Sequence, residues 1–252
     1  MLTDAQRNEK ALSYPLALDV SMFTPQSALY PAAGQKLVMH MIESHLQQIE
    51  MDVPRLISRF HMSWVLLSLS IEYKTPLRPN GQYHGRTWHT SHSLPIYRRE
   101  FAIYDQAEQT VAVGTMFTSL LDLQTRRICS DLNVLRHFEL PDGEALLPAN
   151  SRFKEEPDFV RQEVLNVRPS WLDELGHVNN SRYGEFAYDA LTPAQRQNIK
   201  NLRRQDCWFM AELQSDAQLA IEKAGDEQNT IIRGLILPQN KPSFVFKLQF
   251  QP

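Results

Sequence analysis

Gly34-Gln35-Lys36-Leu37-Val38-Met39-His40-Met41-Ile42-Glu43-Ser44-His45-Leu46-Gln47-Gln48-Ile49-Glu50 is the longest helical pattern in this sequence. Val38, Met41, Ile42, His45, Leu46 and Ile49 recur at the helical period, so they line one face, and no proline interrupts them. His45 on that stripe reads as a satisfied core histidine rather than a ligand. The stripe needs cover, and the chain supplies it next. Residues 63–73 alternate, with Leu67, Leu69, Ile71 and Tyr73 on one side and Ser68, Ser70 and Glu72 on the other. Residues 83–90, 96–104 and 110–123 are further strand candidates rich in aromatic and β-branched side chains. One long helix followed by antiparallel strands predicts a curved sheet wrapped around that helix.

Upstream, residues 1–13 are polar and expected to be frayed, 14–20 read as a strand, and Pro25 and Pro31 mark a loop. Downstream of the helix, Pro54 opens a short connection. Residues 139–158 change character: Pro141, Gly143, Pro148, Asn150 and Pro157 punctuate a charged segment. This sets a linker over 141–158 between halves 1–140 and 159–252. The second half repeats the order of the first. Residues 159–167 are strand-like. A polar loop and an amphipathic helix follow. Thr192-Pro193-Ala194-Gln195 then reads as a capping box opening a short helix to about residue 202. Segments 207–214, 218–223 with 230–237, and 243–250 close the chain as strands. Two such units could pair their sheets edge to edge, which removes two exposed edges.

Composition narrows the function. The chain has 252 residues, 42% hydrophobic and 22% charged, with a net charge of −3. That balance is globular, and without a basic bias it does not suggest a nucleic-acid partner. Cys129 and Cys207 lie far apart in no metal-spaced cluster, so no metal or cofactor is expected and a reducing compartment is the default. The first residues show no signal-peptide pattern, and no apolar run approaches the ~20 residues that span a bilayer. A cytoplasmic location without membrane insertion is the expectation.

The richest stretch chemically is Asp173-Glu174-Leu175-Gly176-His177-Val178-Asn179-Asn180-Ser181-Arg182-Tyr183. Tyr183, Phe186, Ala187, Ala190 and Leu191 continue it as one helix face, and Asn179 or Asn180 suits the N-cap. Amides around Val178, Asn179 and Asn180 would then favour developing negative charge. A polar loop that merely caps a helix is the plainer reading.

With this motif in view, the chain resembles the acyl-acyl carrier protein (ACP) thioesterases. In the first half the resemblance rests on Trp64-Val65-Leu66-Leu67-Ser68-Leu69-Ser70-Ile71-Glu72, Thr87-Trp88, Tyr97-Arg98-Arg99-Glu100-Phe101 and Leu121-Asp122-Leu123-Gln124-Thr125-Arg126-Arg127. In the second half it rests on the Gly-His-Val-Asn-Asn stretch and on Glu212. The resemblance implies an α+β tandem (double) hotdog: two helix-wrapped antiparallel sheets joined into one. It implies a catalytic set of Asp173, His177 and Glu212, with one active site in the second half. Leu175 stands where the family has an asparagine, and Leu213 follows the glutamate where a cysteine is sometimes discussed. The first half would hold the acyl chain, with Trp64, Leu66 and Met41 as candidates. The partner would be acyl carrier protein, docking on Arg196, Lys200, Arg203 and Arg204, and the enzyme a monomer or homodimer.

The expected reaction is hydrolysis of acyl-ACP, releasing free fatty acid and ending chain elongation. No Gly-x-Ser-x-Gly elbow is present, so a carboxylate-activated water fits better than a serine nucleophile. Either Asp173 or Glu212 could serve as base. Glu212 could equally be a solvent-facing strand residue. The alternatives are an acyl-CoA thioesterase of the same fold, or a decayed acyl- or carrier-binding module, to which Leu175 points.

Overall fold

The computed structural model describes residues 3–141, 143–173 and 176–251, the side chains of Arg7, Ser91 and His92 excepted. Its helices are α1 (Asp4–Arg7), α2 (Pro31–Gln48), α3 (Val53–Phe60), α4 (Leu132–Arg136), α5 (Arg182–Asp189) and α6 (Pro193–Gln197). The first-half strands are β1 (Tyr14–Ala17), β2 (Met62–Tyr73), β3 (Gln82–Ser93), β4 (Ile96–Asp105), β5 (Thr110–Asp122) and β6 (Arg127–Ile128). Those of the second are β7 (Val160–Asn166), β8 (Leu202–Phe209), β9 (Gln218–Gly225), β10 (Asn229–Leu237) and β11 (Lys241–Phe250). They form one sheet in the order β1-β3-β4-β5-β2-β8-β11-β10-β9-β7, with β6 paired to β5. The halves join where β2 meets β8, antiparallel, from Ser68↔Trp208 to Glu72↔Arg204.

The helix stripe lies where its period puts it. Val38, Met41 and Ile42 are buried against β2, β4 and β5 through Leu69, Ile71, Phe101, Ile103 and Met116, and His45 is buried against Tyr14 and Glu9. A β-bulge at Leu67 shifts the β2–β5 register and corrects the simple alternation. Leu66 on one side of it and Leu69 and Ile71 on the other all pack into the core around α2. The second half wraps α5 in the same way, with Tyr183, Phe186 and Ala187 on Phe244, Phe246 and Leu248. The two helices touch at backbone distance: a Cβ on Gly184 would lie 2.6 Å from the Ala32 amide nitrogen, so only glycine fits.

Several local readings need correction. Helix α2 begins at Pro31, because a proline at the first helical position lacks only an amide with no intrahelical partner. Pro54 likewise lies inside the first turn of α3, which Asp52 caps by accepting from the Arg55 amide. From Thr3 on, the N-terminal segment is tied down rather than frayed. Glu9 is buried, accepts from Arg99 (3.0 Å) and from the His89 amide, and pairs with His45 (3.0 Å). Residues 143–150, within the segment expected as a linker, are strapped over the outer sheet face. Asn150 O accepts from Ser68 and the Trp208 indole, Pro148 O from Arg204, and Leu147 O from Arg98. Among the described residues no helix is long and apolar enough to cross a membrane.

Candidate functional site

Two loops make the site. The first begins at Asp173, whose amide donates to His177 O (2.8 Å), while the Gly176 amide donates back to Asp173 O (3.0 Å). Gly176 sits at φ +79, the left-handed region that glycine enters without strain. The Asp173 carboxylate accepts from the His177 amide (3.3 Å), so it closes the turn that presents the imidazole. Leu175, the departure from the family pattern, lies outside the described residues.

The second loop carries Glu212. It follows β8, which spans Leu202–Phe209, so the expected strand at 207–214 starts earlier and Glu212 lies beyond its end. The Met210 and Ala211 amides both donate to Ser243 O, ending the ladder, and Leu213 is fully buried. The loops then zip together: the Val178 amide donates to Leu213 O (2.9 Å), and His177 bridges Gln214. As a result His177 Nε2 lies 3.4 Å from Glu212 Oε2. Asp173, His177 and Glu212, separated in sequence, thus gather in one place.

Beneath them is Tyr183, buried and stacked on Phe244 with ring centroids 4.4 Å apart. Burial pushes its phenol up to about 12, and the Glu212 and Asp173 charges act in the same sense. The Ser243 hydroxyl lies 3.3 Å from the Tyr183 hydroxyl and donates to Ala211 O (2.8 Å), tying the helix to the Glu212 loop.

The helix start differs from expectation. Ser181, not an asparagine, occupies the N-cap of α5, and its side chain caps nothing. Asn179 instead accepts from the Ser181 amide (3.0 Å) and hydroxyl (2.7 Å), the short side chain folding back on its own turn. The Val178 and Asn179 amides are committed to Leu213 O and Trp171 O. The Asn180 amide makes no hydrogen bond among the described residues.

Sequence reading also missed Arg126. It sits in the β5–β6 turn of the first half, and its Nη2 donates to both Glu212 oxygens, at 3.1 and 2.9 Å. The turn was visible locally; its target 86 residues away was not.

The remaining candidates lie further out. Met41 is fully buried, and a Cβ on Gly85 would meet its sulfur at 2.1 Å. Trp64 is half-buried, edge-on to Tyr97 and Phe138, with its indole N–H on Met51 O (2.8 Å). Leu66 is half-buried at the α2 core. Among the docking candidates, Arg204 is committed to Asp206 and Pro148 O, and Arg196 donates to Asp189 O (3.1 Å). Lys200 and Arg203 stay exposed, the latter 3.4 Å from Glu72. A cleft of about 460 Å³ between α3 and α4, lined by Arg55, Arg59, Phe60 and His137 among others, includes none of the predicted site residues.

Residues 32–135 match the family model for the acyl-ACP thioesterase N-terminal domain. The crystal structure of an acyl-ACP thioesterase from Bacteroides thetaiotaomicron superposes with a TM-score of 0.83 at 18% identity, covering 95% of this chain and 97% of that one. The 12:0-ACP thioesterase from Umbellularia californica superposes at 0.78 and 13% identity, covering 96% and 97%. No curated protein matches the sequence. The fold is the tandem hotdog, and the likeness to acyl-ACP thioesterases extends along the whole of it.

Proposed function

We propose that this chain, with the acyl-ACP thioesterase fold throughout and that family's N-terminal domain over residues 32–135, hydrolyses acyl-ACP to free fatty acid and ends chain elongation. The observation that carries the reading is the meeting of His177 and Glu212, 3.4 Å apart, on two interlocked loops at the head of α5.

The roles follow from the contacts. Glu212, half exposed beside the imidazole, orients water and accepts its proton as the oxygen attacks the acyl carbon. His177 holds that water on its other side. Asp173 shapes the turn, since its carboxylate is engaged by the His177 amide. The Asn180 amide is the donor open to the carbonyl oxygen as it gains charge. The C–S bond then breaks, and the departing pantetheine sulfur takes the proton that Glu212 accepted, leaving as thiol and restoring the carboxylate. Trp64 and Leu66 lie on the strand that faces α2, and the acyl chain would run along them.

Free-thiol release measured over a panel of acyl-ACP and acyl-CoA thioesters tests this. Turnover is expected with acyl-ACP, and to fall about 100-fold or more in Glu212→Gln and His177→Ala with unchanged folding. Full activity in both variants would refute the site. Preference for acyl-CoA would move the substrate assignment, and no turnover on either class would leave a binding module.

A further inference from the structure

Among the described residues, Arg126 of the first half reaches into the site. Arg126 comes from the hairpin between β5 and β6, whereas Glu212 belongs to the second half. The hairpin is built firmly. The Asp122 carboxylate accepts from the Gln124 amide (2.8 Å) and the Thr125 amide (3.0 Å), and the Arg126 amide donates to Asp122 O (2.9 Å). Arg126 itself is left-handed at φ +56, a conformation rare for a residue with a Cβ. Such a turn fixes where its side chain starts.

A single guanidinium nitrogen, Nη2, contacts both oxygens of Glu212, and Oε2 of the same carboxylate faces His177 Nε2. The carboxylate is therefore held from two sides, by Arg126 and by His177. Both partners of the pair are about half exposed, Arg126 at 54% and Glu212 at 48%. Pairs that exposed contribute little to stability, so this contact is not explained by holding the fold together. The strand pair leading to the hairpin is also the one bearing Trp64, opposite Leu120, and Leu66, opposite Thr118.

We propose that Arg126 is a positioning residue for hydrolysis, fixing the Glu212 carboxylate against His177 and so completing the second-half site from the first half. The proposal rests on the reading of Glu212 given above. Arg126 does not touch the reacting atoms; it sets the rotamer of the group that does, and small displacements of such a group cost about 10- to 100-fold in rate.

The experiment compares Arg126→Ala, Arg126→Lys, Arg127→Ala and Glu212→Gln with the parent chain, on one acyl-ACP and one small acyl-pantetheine thioester. Arg126→Ala is expected to lower kcat at least tenfold on both substrates, with KM changed less than threefold and the thermal midpoint unmoved. Arg126→Lys should recover most of the loss, because one nitrogen makes both contacts and an ammonium can stand in its place. Arg127→Ala, the adjacent cation, should behave like the parent. If Arg126→Ala keeps kcat within twofold of the parent while Glu212→Gln collapses, the positioning role is wrong and the catalytic reading stands. A lysine variant no better than alanine overturns it as well. If only the ACP reaction suffers, through KM, Arg126 is a docking contact instead. If Glu212→Gln itself turns over normally, the reading beneath the proposal fails first.

Discussion

Glu9 is an anion in a place that ought to protonate it. Burial alone would raise its pKa, yet Arg99, a hydrogen bond from His45 and the His89 amide together bring it to about 2. Burial also lowers the pKa of His45, so the imidazole is kept neutral. A carboxylate depressed from 4.5 in this way contributes stability that is present above about pH 4.5 and is lost as pH falls toward 2. Glu9→Gln should thus lose about 3 kcal/mol at pH 7, with the gap to the parent closing steadily below pH 5. Urea melts at several pH values measure this; a gap independent of pH would contradict it. Residues of this kind hide from sequence reading. His45 was placed by its period, but Glu9 is one acid in a polar run, and its partners come from α2, β3 and β4. Arg126 was hidden in the same way, while Asp173, His177 and Glu212, the set that the family resemblance implies, do lie together.

Elements were legible where one face faces the core. The α2 stripe and the alternating strands announce themselves because apolar residues must be buried together. The strap over 143–158 was not, because much of its hold on the sheet is through backbone carbonyls, which leave no mark in sequence. Its anchors lie on the sheet instead. Asp206 accepts from Ser70 (2.5 Å) and holds Arg204, which in turn donates to Pro148 O (2.8 Å). Asp206→Ala should therefore leave Ser70 and Arg204 poorly satisfied and cost roughly 2–3 kcal/mol. It should also make 141–158 the first site cut in limited proteolysis, and a variant with parental stability and cleavage pattern would show the strap to be independent of this anchor. Helix α3 was lost for another reason: a proline breaks a helix interior yet suits its first turn, and only the Asp52 cap tells the two apart.

At the scale of the molecule, the duplication and the edge-to-edge joining of its sheets were readable from the repeated order of elements, but not which two strands meet at the seam. β2 lies between β5 and β8, and its stretch from Ser68 to Glu72 pairs with Arg204 to Trp208 of the other half of the chain. Residues 1–158 alone would bare that edge, and bared edges recruit other strands. Such a fragment should form larger and more heterogeneous assemblies in gel filtration and light scattering than the full chain; a stable monomer would count against the seam as a structural requirement. The same seam has a consequence in time. Ser70 and Asp206, which meet across it, are 136 residues apart. At roughly 5–20 residues per second of synthesis, β2 waits on the order of 10 s on the ribosome before its partner strand exists. The danger to this protein falls at its birth, and codon pace or a chaperone covering those seconds should govern yield more than any substitution that hardens the finished molecule.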